Sequence, residues 1–350
     1  MQAPCAGRQA VVSPRLDYVP ALDGLRAVAI ALVMLFHAGV PFLPGANLGV
    51  DIFFVLSGYL IGRLLLAEFR AHAVIDLRRF YRRRLWRLMP PLLLLLALYA
   101  ALAPLVWPDY YFHLRDGIEL LLYLADIALV FGDGPQYLMH AWSLGIEERF
   151  YLLLPLLLLF LLRARDWRRI WFFFMFLALF VTLWRFYGVQ EEDVGGTIYY
   201  RFDMRLSGLL LGVTVAWLPP TRLPDMRLVG PSMLPLMLGV LLLLVLPEQG
   251  QEWRLAYGLP VVEVLTALAI IWVVQQPDCV LARTLSWPAL VYIGKISYGL
   301  YLFHYPIMQY FKGFHSWPLV VLGGVFWAAV LAVLSWHLLE MPMSKWRKSC

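Results

Sequence analysis

Charge is scarce in this chain. Lys, Arg, Asp and Glu make up 15% of its 350 residues, and apolar residues make up 62%. A soluble domain carries about 25% charged and about 45–50% apolar residues. The mean hydropathy is +0.72. One soluble core cannot hide that much apolar surface, so a bilayer is the expected solvent. Cysteine is scarce too. Cys5, Cys279 and Cys350 form no CxxC pair, so neither a disulfide framework nor a structural metal is indicated. There is no Walker motif, no HExxH and no GxGxxG, which leaves ATP hydrolysis, zinc hydrolysis and dinucleotide redox chemistry without support. No large soluble domain, repeat or low-complexity linker interrupts the apolar runs. The stretch "MQAPCAGRQAVVSPRLDYVP" has no apolar run after its charges, unlike a cleavable signal peptide. Residues 1–17 therefore read as a short cytoplasmic tail.

What is present is a series of apolar runs close to the ~20 residues that cross a bilayer. They fall near 20–41, 47–68, 89–107, 139–162, 169–187, 203–218, 228–247, 257–275, 287–309 and 317–339. An eleventh stretch at 115–131 is shorter and holds Asp116, Glu119 and Asp126. The net charge is +6, and the basic residues cluster in "DLRRFYRRRLWRLMP", in "RARDWRR", around Arg222 and Arg227, and in the tail "KWRK". Basic clusters beside spans mark cytoplasmic loops, so nucleic acid is not needed to explain them. If 115–131 is re-entrant or lies flat, all four clusters fall on one side. The expectation is an all-α integral membrane protein of about ten spans with both termini cytoplasmic; eleven spans is the alternative. The domain occupies 18–342, and 343–350 form a second cytoplasmic tail.

Ionisable residues inside spans usually mark a pathway or a site. Arg26 and His37 stand eleven residues apart in "LDGLRAVAIALVMLFHAG". That is about three helical turns and roughly 16 Å, on one face at two depths. Asp51, in "GVDIFFVLSG", sits across a short hairpin from His37. It could orient the imidazole as a general base, or simply cap its own helix. Arg83, Arg84 and Arg87 lie on an interfacial segment. Arg84 and Arg87 share a face, as do Arg83 and Arg87. Such a fork suits phosphate or pyrophosphate, and equally an anionic lipid. In "HAWSLGIEERFY", His140, Ser143 and Glu147 share a stripe; a Ser-His-Glu triad is disfavoured because the serine lacks a nucleophile elbow. Asp203, Arg205 and His304 are further outer-layer candidates for binding substrate. Glu340 is the expected partner of an inner arginine such as Arg26.

Two polar layers emerge. Arg26, Arg83, Arg84, Arg87 and Glu340 form the inner one; His37, Asp51, His140, Glu147, Asp203, Arg205 and His304 form the outer one. An anion site on one side and acid–base groups on the other suit group transfer across a membrane. A multi-span transporter of a sugar or anionic substrate is the alternative, and it would predict inverted repeats.

Seven motifs occur in order over about Tyr18 to Pro342: "LDGLRAVAIALVMLFH", "GVDIFFVLSGYLI", "FYRRRLWRLMP", "HAWSLGIEERFYLLLP", "RFDMRLSGLLLG", "IGKISYGLYLFHYP" and "HLLEMP". In these the chain resembles the membrane-bound acyltransferase family 3, the O-acyltransferases of bacterial envelope polysaccharides. The resemblance implies ten transmembrane helices in a bacterial inner membrane. It also implies acyl transfer, acetyl first, from cytoplasmic acyl-CoA to a hydroxyl of a glycan or lipid-linked sugar, with no metal. By family pattern the Arg-x10-His pair maps onto Arg26 and His37, the Arg-x-x-Arg onto Arg84 and Arg87, and the motif glutamate onto Glu147. Many relatives continue "EEQF" where this chain has "EERF", so Arg149 replaces a glutamine. Some relatives add a C-terminal hydrolase-like domain, which this sequence does not contain. The expected mechanism places donor phosphates on the inner arginines. His37 is the base on the acceptor hydroxyl, with help from Asp51 or Glu147.

Overall fold

A computed structural model describes residues 17–107, 110–164, 166–191, 197–218, 225–245, 250–314 and 316–343. Cys5, Arg222, Cys350 and the basic tail Lys345–Lys348 lie outside the described residues. Helices succeed one another along the chain, and no strand occurs among the described residues. In order they are α1 (Pro20–His37), α2 (Gly49–His72), α3 (Leu77–Val106), α4 (Tyr110–Leu121), α5 (Ala125–Phe131), α6 (Trp142–Leu161) and α7 (Trp167–Glu191). Two single turns follow, α8 (Thr197–Tyr200) and α9 (Phe202–Arg205), then α10 (Ser207–Trp217) and α11 (Met226–Val245). The rest are α12 (Gln251–Trp253), α13 (Leu259–Gln275), α14 (Val280–Leu285), α15 (Pro288–Lys295), α16 (Ser297–Lys312) and α17 (Trp317–Ser335).

Local chemistry sets several boundaries. Proline occupies the first turn of α1, α15 and α17, where its missing N–H would be unpaired anyway. Asp76 caps α3 by accepting from the Arg79 N–H at 2.9 Å. The arginine segment and the third apolar run are one continuous 30-residue helix. The run at 287–309 is two helices, with the break at Ile296.

Among the described residues, six helices are long and apolar enough to cross a membrane: Pro20–His37, Ala46–His72, Leu77–Val106, Trp167–Glu191, Gln251–Gln275 and Trp317–Met343. Two of the other expected spans are too short or too charged. The α6 helix holds Glu147, Glu148 and Arg149, and α10 has only 11 residues. The stretch at 115–131 divides into α4 and α5 at a turn where Tyr123 has φ 56°. At ~1.5 Å per residue the 12-residue α4 extends only about 18 Å, short of the ~30 Å hydrocarbon layer. Asp116 accepts the N–H groups of Gln136, Tyr137 and Leu138, which ties the following loop back to α4. Arg149 pairs with Asp126, so the residue that departs from the family pattern pins α6 to α5.

The most extensive helix contact joins α2 and α10. Gly58 and Gly62 on α2 face Gly208 and Gly212 on α10, each pair in small-xxx-small spacing. A Cβ on Gly58 would overlap the Leu209 carbonyl. One on Gly212 would overlap the Val55 carbonyl and lie 2.6 Å from the Tyr59 nitrogen. Neither neighbour is a movable side chain. Gly212→Leu is therefore expected to force the helices apart, costing about 1–3 kcal/mol or more. The folded fraction after detergent extraction, read by size-exclusion chromatography, should fall; an unchanged monodisperse peak would contradict this packing.

Candidate active site

The bundle holds a cavity of about 120 Å³ between α1, α2, α3, α6 and α16. Its polar lining includes Arg26, Arg84, Arg87, Glu147 and Ser57, and its wall toward α16 carries Ser143 and Tyr301. The apolar packing of these five helices leaves the polar groups to answer one another. Ser57 donates to Glu147 at 2.8 Å. Arg84 donates from Nε and Nη2 to Glu148, the shortest contact being 2.6 Å, and its guanidinium lies 3.2 Å from the Tyr151 ring centre. Arg26 donates to Asp23 at 3.2 Å, one turn back on α1. Arg83 is half-buried and is not part of the lining. The predicted Arg84–Arg87 fork does face the cavity, but Arg84 arrives with a carboxylate already on it.

The inner arginine that Glu340 faces is Arg87, not Arg26. Glu340 accepts from Ser335 at 3.2 Å, in the π-helical turn Trp336–Glu340 that follows α17. Glu147 differs from expectation. It shares a stripe with His140 but lies seven residues further on, about 10 Å along a helix axis. That places it among the arginines rather than beside His37.

Behind the Ser143–Tyr301 wall lies a histidine cluster. His37 ends α1, and its Nδ1 is 3.0 Å from His304 Nε2 on α16, across 267 residues of chain. Tyr305 packs edge-on against His37 and stacks on His140, with ring centres 4.9 Å apart in both cases. The His140 and His304 rings are 5.3 Å apart. His140 Nε2 donates to the Leu302 carbonyl at 3.2 Å and makes no bond to Ser143. Tyr301 donates its hydroxyl to the His140 carbonyl at 2.6 Å, so Ser143 must donate to Tyr301 (2.6 Å). The serine proton thus faces a phenol and no imidazole, which removes the triad reading.

Asp51 is not beside His37. Gly49 is the residue of α2 that abuts α1, against Ala29 and Val33. Asp51, two residues on, is turned by about 200° and meets Arg205 at 2.9 Å, with both side chains sealed from solvent. The Arg205 guanidinium also lies 4.8–5.6 Å from the ring centres of Tyr199, Trp142 and Phe54. Asp203 stays outside this centre, bound by Trp184 (2.8 Å) and Arg201 (2.9 Å).

Next to the Asp51–Arg205 pair is a second one that the sequence reading did not single out. Arg185 donates to Ser207 (2.7 Å) and to the carbonyls of Met204 and Leu255 (both 3.0 Å). Ser207 donates to Glu263 at 2.6 Å, and Arg185 lies 3.6 Å from the same carboxylate. The signal was available: Arg185 in "FVTLWRFYG" and Glu263 in "PVVEVLTAL" are lone charges within apolar runs. Two arginines and two carboxylates make the buried group electroneutral.

The family described as Acyltransferase domain matches residues 19–337. The chain is 33% identical over 356 residues to O-acetyltransferase OatA of Staphylococcus aureus (strain NCTC 8325 / PS 47), covering 95% of this chain and 58% of that protein. It is likewise 33% identical over 353 residues to the putative O-acetyltransferase SACOL0978 of Staphylococcus aureus (strain COL), with 95% and 58% covered. The chain thus spans rather more than half the length of these curated relatives. No solved structure matches it. With a single domain match running from the start of α1 to the turn after α17, the chain belongs to the acyltransferase family of that domain.

Proposed function

We propose that this chain is an integral membrane O-acyltransferase. It takes an acyl group, acetyl first, from cytoplasmic acyl-CoA and places it on a hydroxyl of an envelope glycan or lipid-linked sugar. The reading sets the protein in a bacterial inner membrane, with about ten spans and both termini in the cytoplasm. One observation carries it: an arginine-lined cavity ends at a wall, Ser143 and Tyr301, whose far side is the His37–His304 cluster. The names of the curated relatives, O-acetyltransferases, support the same chemistry.

In this reading Arg26, Arg84 and Arg87 hold the donor phosphates through charge-assisted hydrogen bonds. The pantetheine arm then enters the cavity with its thioester toward Ser143 and Tyr301. His37 takes the proton from the acceptor hydroxyl as that oxygen attacks the thioester carbonyl. The C–O bond forms and the C–S bond breaks. The thiolate leaves and regains the proton from His37, so the products are an ester and free coenzyme A. Glu147 and Ser57 face the donor, whereas Asp51 acts at a distance by holding Arg205 against Trp142, the neighbour of Ser143.

Three outcomes follow. His37→Ala, at normal expression, should lower transfer from labelled acetyl-CoA by about 10²–10⁴-fold; transfer at the wild-type rate would refute the base assignment. Arg84→Ala with Arg87→Ala should raise KM for acetyl-CoA by about tenfold or more, as expected for losing charge-assisted bonds worth about 1.5–3 kcal/mol each. An unchanged KM moves the phosphate site elsewhere. Ser143→Ala should keep activity within about tenfold, because its proton has no base to receive it. Loss to background, with an acyl-serine trapped in the parent protein, would replace direct attack by a covalent intermediate.

A further inference from the structure

The hydrogen bonds around His304 dictate where the protons sit on His37. His304 is fully buried on α16. Its Nδ1 lies 2.7 Å from the Tyr301 carbonyl and 3.1 Å from the Leu300 carbonyl. A carbonyl oxygen can only accept, so Nδ1 carries the hydrogen. A neutral imidazole has one N–H, and the other nitrogen is then a bare acceptor. His304 Nε2 therefore offers a lone pair to His37 Nδ1, 3.0 Å away. One proton must lie between them, so it belongs to His37 Nδ1. The remaining nitrogen of His37, Nε2, is then left with the lone pair.

The opposite arrangement needs a charged His304. Its Nε2–H would donate to His37, leaving His37 with its proton on Nε2 and no basic nitrogen to offer. A buried imidazolium is costly without a carboxylate to pair it, and the partners of His304 are two carbonyls and an imidazole. The carboxylate that could have served, Asp51, is held by Arg205.

We infer that His304 is the positioning residue of the site: its Nε2, fixed as an acceptor by two main-chain carbonyls, holds His37 in the Nδ1–H tautomer and turns its Nε2 toward the acceptor hydroxyl. This rests on the reading of His37 as the base. It assigns to a neutral imidazole the orienting task that a carboxylate performs in many histidine-dependent sites. It also accounts for the depth of His304, fully buried one ring behind His37. When His37 takes up the hydroxyl proton, its Nδ1–H still donates to His304, so no bond within the pair has to break.

The test reads the tautomer and the kinetics together. Nitrogen-15 NMR of histidine-labelled protein in bilayers should find His37 protonated at Nδ1 and bare at Nε2. In His304→Phe, which removes the acceptor, His37 should move toward the Nε2–H form. Transfer should then fall at unchanged KM for acetyl-CoA; in triad enzymes, losing the orienting group costs about 10⁴-fold. His304→Gln, whose carbonyl oxygen can accept from Nδ1, should retain activity within about tenfold and keep the Nδ1–H form, the range of a single weakened hydrogen bond. Finding wild-type His37 protonated at Nε2 overturns the inference. So do equal losses for Gln and Phe with the His37 tautomer unmoved. If His304→Phe does not fold, the wild-type spectrum and the Gln variant still decide. The NMR result needs no turnover, so it stands or falls separately from the outcome of His37→Ala.

Discussion

The Arg205–Asp51 ion pair, closed to solvent at 2.9 Å, is the contact around which the site is assembled. Lipid and protein core offer no water to either charge, so each must find its counter-charge inside the bundle. Asp51 belongs to α2, Arg205 to the turn before α10, and the rings that close on the guanidinium come from α2, α6 and α8. The adjoining Arg185–Ser207–Glu263 group ties α7 and α13 to the same place. Removing one member would leave a buried charge uncompensated, a loss of about 3–5 kcal/mol. The α2–α10 glycine contact brings the helix that carries Asp51 against the one that carries Ser207, directly after Arg205.

From that anchor, α6 carries two functions at two levels. Its start places Ser143 against Tyr301 and the histidines; one turn later Glu147 and Glu148 face the arginines of α1 and α3. The arginine-lined cavity and the histidine cluster are therefore two ends of one continuous arrangement. A shift of α6 would disturb both.

The sequence disclosed the elements that depend on local pattern. The Arg26–His37 face of α1 is a matter of helical period within one uninterrupted helix, and the structure has both residues on α1 as expected. The lining by Arg26, Arg84 and Arg87 was within reach of motif spacing. Partners were not. Asp51 is 14 residues from His37 and looked close, but rotation along α2 points it at α10. His304 is 267 residues from His37 and touches it, because α1 packs on α16. Period and spacing fix which face a residue occupies; they do not say which helix that face meets. Glu147 was misplaced for a simpler reason: sharing a stripe with His140 hid two turns of depth.

The Arg84–Glu148 pair has a bearing on throughput. A pocket with its own carboxylate on its best-buried arginine contains a resident competitor for any incoming phosphate. In the proposed reaction, donor affinity is then the difference between two ion pairs rather than the strength of one. Spent coenzyme A carries the same phosphates as the donor, so a site built only to grip them would hold the product as firmly as the substrate. Glu148 returning to Arg84 shortens that residence, favouring clearance of the pocket over tightness of binding.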